Sequence, residues 1–313
     1  MLGPKIIVGL KGMEDIRAKP DSVVGNLEPV FDAVQDHYTK IGAPDDTVVH
    51  VIKAELSTKV GQLTEALAEE IDDCFQKYFP PCDGRMSILL HFVTHSNFFV
   101  DWTPVKAYDQ LLLIVATIST RLFLGKELCN DMEWLKHTIA YTVTLMNAAH
   151  DIQRTHPLLR PFLYRTFESY KSHQAAHELT LTKVKPVIQS RREAMSKPDH
   201  EQYFDMTQWM LNERIKRGRQ DTNYNYLAQA QLQLSFASIH TTSMALIHLI
   251  YDLCAEPQYQ DIIRQELEEQ LTLNGGYKGE IMKKLEKCDS IMKESQRHNP
   301  VGLSKHSRQT EIC

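Results

Sequence analysis

The longest apolar stretch of the chain is residues 223–253, NYNYLAQAQLQLSFASIHTTSMALIHLIYDL. It contains neither Pro nor Gly and is apolar nearly all round, the pattern of a helix buried on most sides. At about 1.5 Å of rise per residue it spans roughly 46 Å, the width of a whole domain. Within it Leu234, Ala237, Ser238, Thr241, Ala245 and Leu249 recur at three- and four-residue steps, so Ala237, Ser238, Thr241 and Ala245 form one narrow strip of small side chains. A mid-helix Thr tends to bond back to the carbonyl four residues earlier, here Ala237 for Thr241, and this loosens the ladder locally. Either another helix crossing at this point or a flat, bulky molecule fits such a strip.

The remaining pattern is also mostly helical. Residues 5–10 read as a strand and MEDIRAKP as a short helix stopped before Pro20. Residues 21–46 mix short helical and loop signals, with DHYTKIGAPDD as a polar turn. A long amphipathic pattern over 47–79 (Val51, Leu56, Val60, Leu63, Leu67, Ile71, Phe75) predicts one helix ended by Pro80 and Pro81. Further helices are predicted at 86–98, at 103–123 with Gly125 as cap, and at 131–151, closed by HPLLRPF. Others follow at 163–194, 203–216, 256–273 and 278–298. Nothing repeats and no composition break marks a boundary, so a single, mainly α domain over 1–313 is expected.

Composition narrows the function classes. The 313 residues are 42% hydrophobic and 24% charged with a net charge of −5, and no basic cluster suggests nucleic acid. Cys74, Cys82, Cys129, Cys254, Cys288 and Cys313 are scattered without a CxxC pair, which fits a reducing, cytoplasmic setting. The apolar run Ile6–Leu10 is too short for a signal-peptide core, and no run is expected to reach the roughly 18 apolar residues of a membrane span.

The second chemical clue is CDSIMKESQRHNP, in which Glu294 and Arg297 lie three apart on one helix face and can pair. A long helix with a Thr-bearing strip, an acidic helix, then ExxR followed by Asn-Pro resembles the order found in cytochrome P-450 haem-thiolate monooxygenases. The likeness is to those of filamentous fungi that decorate secondary metabolites. SFASIHTTS resembles their oxygen-binding segment and KESQRHNP their ExxR helix, while DHYTKIG, HVIKAELSTKVGQLTEALAEEI, STRLFLGKELCND and HPLLRPF extend the resemblance over about residues 1–308. It implies a mainly helical fold with minor β structure, incomplete at the C-terminus. By position, Thr241 would help deliver protons to dioxygen, with His240 where many members carry an acid, and Ala237 and Ser238 would lie against the haem face. Glu294 and Arg297 would brace the haem-ligand region, and His50 or Lys53 would offer a basic group to a haem propionate, although the family's Trp-x-x-x-Arg signature is absent.

The family holds its iron through a Cys in an FxxGxxxCxG loop, and no cysteine of this chain has that context. The resemblance therefore implies a truncated monooxygenase that does not retain haem and is inactive as given. Its parent enzymes are anchored to the endoplasmic reticulum and oxidise a hydrophobic terpenoid, meroterpenoid or indole-type substrate with electrons from a reductase. Two readings from other classes stand beside it. One is a non-catalytic helical interaction module; the other is a metal-dependent hydrolase, because His91 and His95, and His173 and His177, are spaced i,i+4 like ligands.

Overall fold

The computed structural model describes residues 28–42, 46–79, 104–197, 203–219, 224–278 and 281–301, with four isolated positions (12, 14, 15 and 19). The predicted strand at 5–10 and the predicted helix at 86–98 lie outside the described residues, as do five of the eight residues of MEDIRAKP. In chain order the α-helices are α1 (Glu28–Ala33), α2 (Asp36–Thr39), α3 (Thr47–Val51), α4 (Ser57–Lys59), α5 (Thr64–Tyr78), α6 (Ala107–Leu124), α7 (Met132–Arg154) and α8 (Arg160–Leu163). They continue as α9 (Glu168–Met195), α10 (Met206–Lys216), α11 (Tyr224–Ala255), α12 (Gln258–Asn274) and α13 (Glu286–His298). Among the described residues there is no strand.

The core sits where α6, α7, α9, α10 and α11 meet. Leu112, Ala116, Phe123 and Leu124 of α6 interlock with Leu227, Ala230, Leu234 and Ile239 of α11, and Trp134, Val184, Ile188 and Met210 close the cluster. A smaller core joins Val34 and Ile41 to Tyr141, Leu145 and Leu232. α6 and α11 are long and apolar enough to cross a membrane by length and composition, which corrects the expectation that no run reaches that threshold. Here they pack on one another.

Polar side chains fix the helix ends. Asp131 accepts from the amides of Glu133 and Trp134 at the start of α7, and Asp205 accepts from that of Gln208 at the start of α10. At the end of α6, Gly125 adopts φ 82°, ψ −158°. A Cβ there would meet Arg191 Nη2, Asp205 Oδ2 and Glu127 Oε2, each at 2.7 Å. The guanidinium of Arg191 is completely buried and donates to Asp205 (2.6 Å), the Leu124 carbonyl (2.6 Å) and Glu127 (3.0 Å) while stacking on Tyr203. Beside it Thr207 donates to the Phe123 carbonyl (2.6 Å) and Gln231 donates to Thr207 (2.9 Å), locking α6, α10 and α11 together.

The helix predicted at 47–79 is broken. Residues Ile52–Leu56 form a π turn and Val60–Leu63 a 3₁₀ turn between α3 and α5. The hydroxyl of Ser57 takes the Ile52 carbonyl and that of Thr58 the Ala54 carbonyl, both at 2.8 Å, which displaces the regular ladder. The helix predicted from 163 starts at Glu168, after a 3₁₀ turn and the extended residue Phe167.

Candidate functional site

The strip on α11 is open. Ala237, Thr241 and Thr242 are exposed and Ser238 is half-buried, whereas Leu234, Ser235, Ile239 and Ser243 beside them are buried. A helix apolar on nearly all sides is expected to be covered on all sides; instead Ala237, Thr241 and Thr242 stay exposed, while Ser238 beside them reaches α6. The Thr241 hydroxyl donates to the Ala237 carbonyl at 2.7 Å, the back-bond the spacing implies, with Ser238 O further off at 3.3 Å. Its proton is thereby committed to the helix, and its remaining lone pairs can accept from a molecule on the open side. Ser238 donates to Ser119 of α6 at 3.4 Å, fixing the floor of the strip.

His240 is tied to the flanks of the helix. Its Nε2 lies 2.9 Å from the Ile139 carbonyl, which can only accept, so the proton resides on Nε2. Nδ1 then accepts from the Tyr108 hydroxyl at 3.4 Å, and burial pushes the Tyr108 pKa up, which keeps that donor protonated. Both ring nitrogens of His240 are thus engaged by α6 and α7, and neither is bonded to Thr241.

On α13, Arg297 grips Glu294 in a fork, Nε to Oε2 at 2.8 Å and Nη2 to Oε1 at 2.7 Å, and His298 approaches the same Oε1 at 3.1 Å. The Arg297 hydrogen bonds hold the Glu294 carboxyl well below the usual range, at about 2. The pair lies on the surface, with the side chains of Arg297 and Glu294 64% and 58% exposed. What docks α13 is a set that sequence reasoning missed. Asp252, near the end of α11, accepts from Ser295 Oγ (2.5 Å) and Asn299 Nδ2 (3.1 Å). Buried Glu266 of α12 accepts from the amides of Lys287 (2.8 Å) and Cys288 (2.9 Å) and so caps α13 from outside. The spacing of Ser295 and Asn299, four apart on one face, was the available signal.

The other candidates lie apart from the strip. His50 faces Glu213 of α10 at 3.5 Å, and Lys53 is exposed on the π turn; among the described residues no hydrogen bond or ion pair joins either to α11. His173 spends its Nε2 proton on the Thr39 carbonyl at 2.8 Å, and no group of three His, Cys, Asp or Glu able to hold a metal ion occurs among the described residues. His91 and His95 lie outside the described residues. Of the described cysteines Cys74 and Cys129 are buried, Cys288 half-buried and Cys254 exposed. Cys254 lies 13 residues beyond Thr241 on the same helix, about 20 Å along its axis.

The long helix α11 with its open small-residue strip is thus followed in order by the acidic helix α12 and the docked ExxR helix α13. The fold has a solved counterpart in a cyanobacterial cytochrome P450, CYP120A1 with retinoic acid bound, with TM-score 0.54 and 18% identity over 92% of this chain and 58% of the other. The cytochrome P450 family pattern matches residues 64–312. The chain belongs to the cytochrome P450 family. It is 30% identical over 311 residues to the cytochrome P450 monooxygenase braC of Annulohypoxylon truncatum, covering 99% of this chain and 58% of that protein. It is also 30% identical over 314 residues to penP of Penicillium crustosum, covering 97% and 56% respectively. To janP of Penicillium janthinellum it is 30% identical over 311 residues, covering 97% and 56%. The chain thus spans a little over half the length of these relatives.

The strip of Ala237, Ser238 and Thr241 fits one face of a planar group such as haem, because its small side chains leave the α11 backbone approachable.

Proposed function

We propose that residues 1–313 are one partial domain of a fungal secondary-metabolite cytochrome P450 monooxygenase. Its full-length form oxidises a hydrophobic terpenoid, meroterpenoid or indole-type intermediate at the endoplasmic reticulum membrane, using dioxygen and electrons from a reductase. The observation that carries this reading is the open strip on α11, where Ala237 and Thr241 are exposed while Leu234, Ser235, Ile239 and Ser243 beside them are buried, and the Thr241 hydroxyl is already turned onto Ala237. Haem, when bound with an axial thiolate, supplies the oxygen-activating chemistry of the family. On this chain Ala237 and Ser238 keep the α11 surface low enough for the ring to approach, and Thr241 offers an oxygen to a polar molecule above it. Glu294 and Arg297 form a rigid charged fork whose outer atoms remain free for a further partner.

The 313 residues alone are proposed to be inactive, because no cysteine of this sequence stands in an FxxGxxxCxG context. The test is the reduced, carbon-monoxide-bound spectrum of this polypeptide after haem reconstitution. A flat difference spectrum near 450 nm is expected. A thiolate-type Soret band there would overturn the inactivity and require a cysteine of this chain as ligand.

A further inference from the structure

Away from the strip, residues 33–42 are fastened to the helical body by donors from four helices. Gln153 of α7 donates to the Ala33 carbonyl (2.6 Å), Arg160 of α8 reaches Gln35 Oε1 (3.5 Å), His173 of α9 donates to Thr39 O (2.8 Å), and Gln229 of α11 donates to the carbonyls of Lys40 and Gly42. The segment holds two non-glycine residues at positive φ, Gln35 at 53° and Lys40 at 54°, a conformation that costs roughly 1–2 kcal/mol each and persists only where the surroundings impose it. Its apolar residues Val34 and Ile41 pack around Tyr141 of α7.

At the centre of this attachment two polar atoms are stranded. The Tyr141 hydroxyl and His173 Nδ1 are both buried and neither reaches a protein partner; the residues are 1% and 2% exposed. Their rings are neighbours, with centroids 5.6 Å apart and planes tilted by 35°. Because Thr39 O accepts from Nε2, Nδ1 carries a lone pair, while the tyrosine hydroxyl carries a proton to give. Leaving both unmade costs about 1–3 kcal/mol apiece. A donor and an acceptor carried by neighbouring rings, neither bonded to the protein, match the two faces of a water molecule, and buried waters are held by two to four such contacts.

We infer that the Tyr141 hydroxyl and His173 Nδ1 form a buried two-point site for one ordered water molecule, which accepts from Tyr141, donates to His173 and cements residues 33–42 to α7 and α9. The Asp36 carboxylate, whose charge acts on the Tyr141 hydroxyl after burial itself, accepts from the Gly42 amide at 2.6 Å and so belongs to the same attachment. Tyr170, the other ring flanking His173, accepts at its hydroxyl oxygen from Gln174 Nε2 at 3.3 Å.

The test is a crystal structure of the full chain at a resolution that shows ordered water, together with amide exchange of residues 33–42 in the protein and in Tyr141→Phe. Expected are a density peak within about 2.6–3.2 Å of both atoms and roughly tenfold faster exchange in the variant. A direct Tyr141–His173 hydrogen bond, or well-ordered side chains with no peak between them, overturns the inference. Slower exchange in Tyr141→Phe overturns it as well, because removing a truly unpartnered hydroxyl stabilises the core.

Discussion

Gly125→Ala tests the tightest joint in the fold. Gly125 sits at φ 82°, ψ −158°, a region essentially confined to glycine, so any side chain there costs about 1–3 kcal/mol in backbone strain alone. The added Cβ would also fall 2.7 Å from Arg191 Nη2, Asp205 Oδ2 and Glu127 Oε2. Arg191 and Asp205 form a buried ion pair that cannot swing into solvent without unpairing, since their side chains are 0% and 2% exposed, whereas that of Glu127 is 34% exposed. Breaking such a pair costs about 3–5 kcal/mol, so even partial opening brings the total to roughly 3–5 kcal/mol. The control is Gly218→Ala, at φ 68° but with nothing within 4 Å of the new Cβ, which should cost only the left-handed strain of about 1–2 kcal/mol. Urea unfolding followed by far-UV circular dichroism gives both values. Equal midpoints for the two variants, within about 0.5 kcal/mol, would refute the claim that the ion cluster presses on Gly125.

Three further outcomes follow from named contacts. Asp252→Ala removes the acceptor shared by Ser295 and Asn299, and about 2–3 kcal/mol of local stability should disappear from α13, read as faster amide exchange confined to that helix; Glu294→Ala, on the solvent side of the same helix, should leave that exchange unchanged. Glu266→Gln keeps the shape but loses the charge that caps the amides of Lys287 and Cys288, so the first turn of α13 should fray by about 1 kcal/mol in the same measurement, and unaltered protection of those two amides would refute the capping role. Burial lowers the His137 pKa from 6.5 to about 4, so the unfolded chain binds the extra proton between these values; the contribution of neutral His137, up to about 3 kcal/mol, is complete above pH 6.5 and lost as pH falls towards 4. His137→Gln, which can still donate to Thr180, should flatten the stability profile in that window, and an unchanged slope would refute the assignment.

What could be read from the sequence, and what could not, follows from the range of the forces involved. α6, α7, α10, α11 and α12 are legible within a few residues of their ends because their apolar periodicity and caps are local signals. The π and 3₁₀ turns at 52–63 are not, because hydroxyls at Ser57 and Thr58 compete with the ladder only by a small margin and the amphipathic pattern continues through them. The Thr241 back-bond is legible for the same local reason. Tertiary partners are another matter: Asp252 and Glu266 look like ordinary solvated acids in the sequence and are committed 43 and 21 residues away. Arg191 sits in an unremarkable polar run, RREAM, yet it is the charge around which Gly125, Glu127 and Asp205 are arranged.

His240, singled out by the resemblance, shows why residue type alone does not assign chemistry. His240 adjoins Thr241 in sequence, but successive helical residues point about 100° apart, so the ring lies among α6 and α7 while the threonine faces the open side. A proton relay from His240 to Thr241 would have to break the bond to Ile139 O or cross the helix, whereas Thr241 needs only to turn its hydroxyl from Ala237 O towards Ser238 O, 3.3 Å away, to change what it offers outward. The Thr241 hydroxyl thus has two alternative acceptors on its own helix, Ala237 O and Ser238 O, while the His240 ring is held between α6 and α7 by Tyr108 and the Ile139 carbonyl.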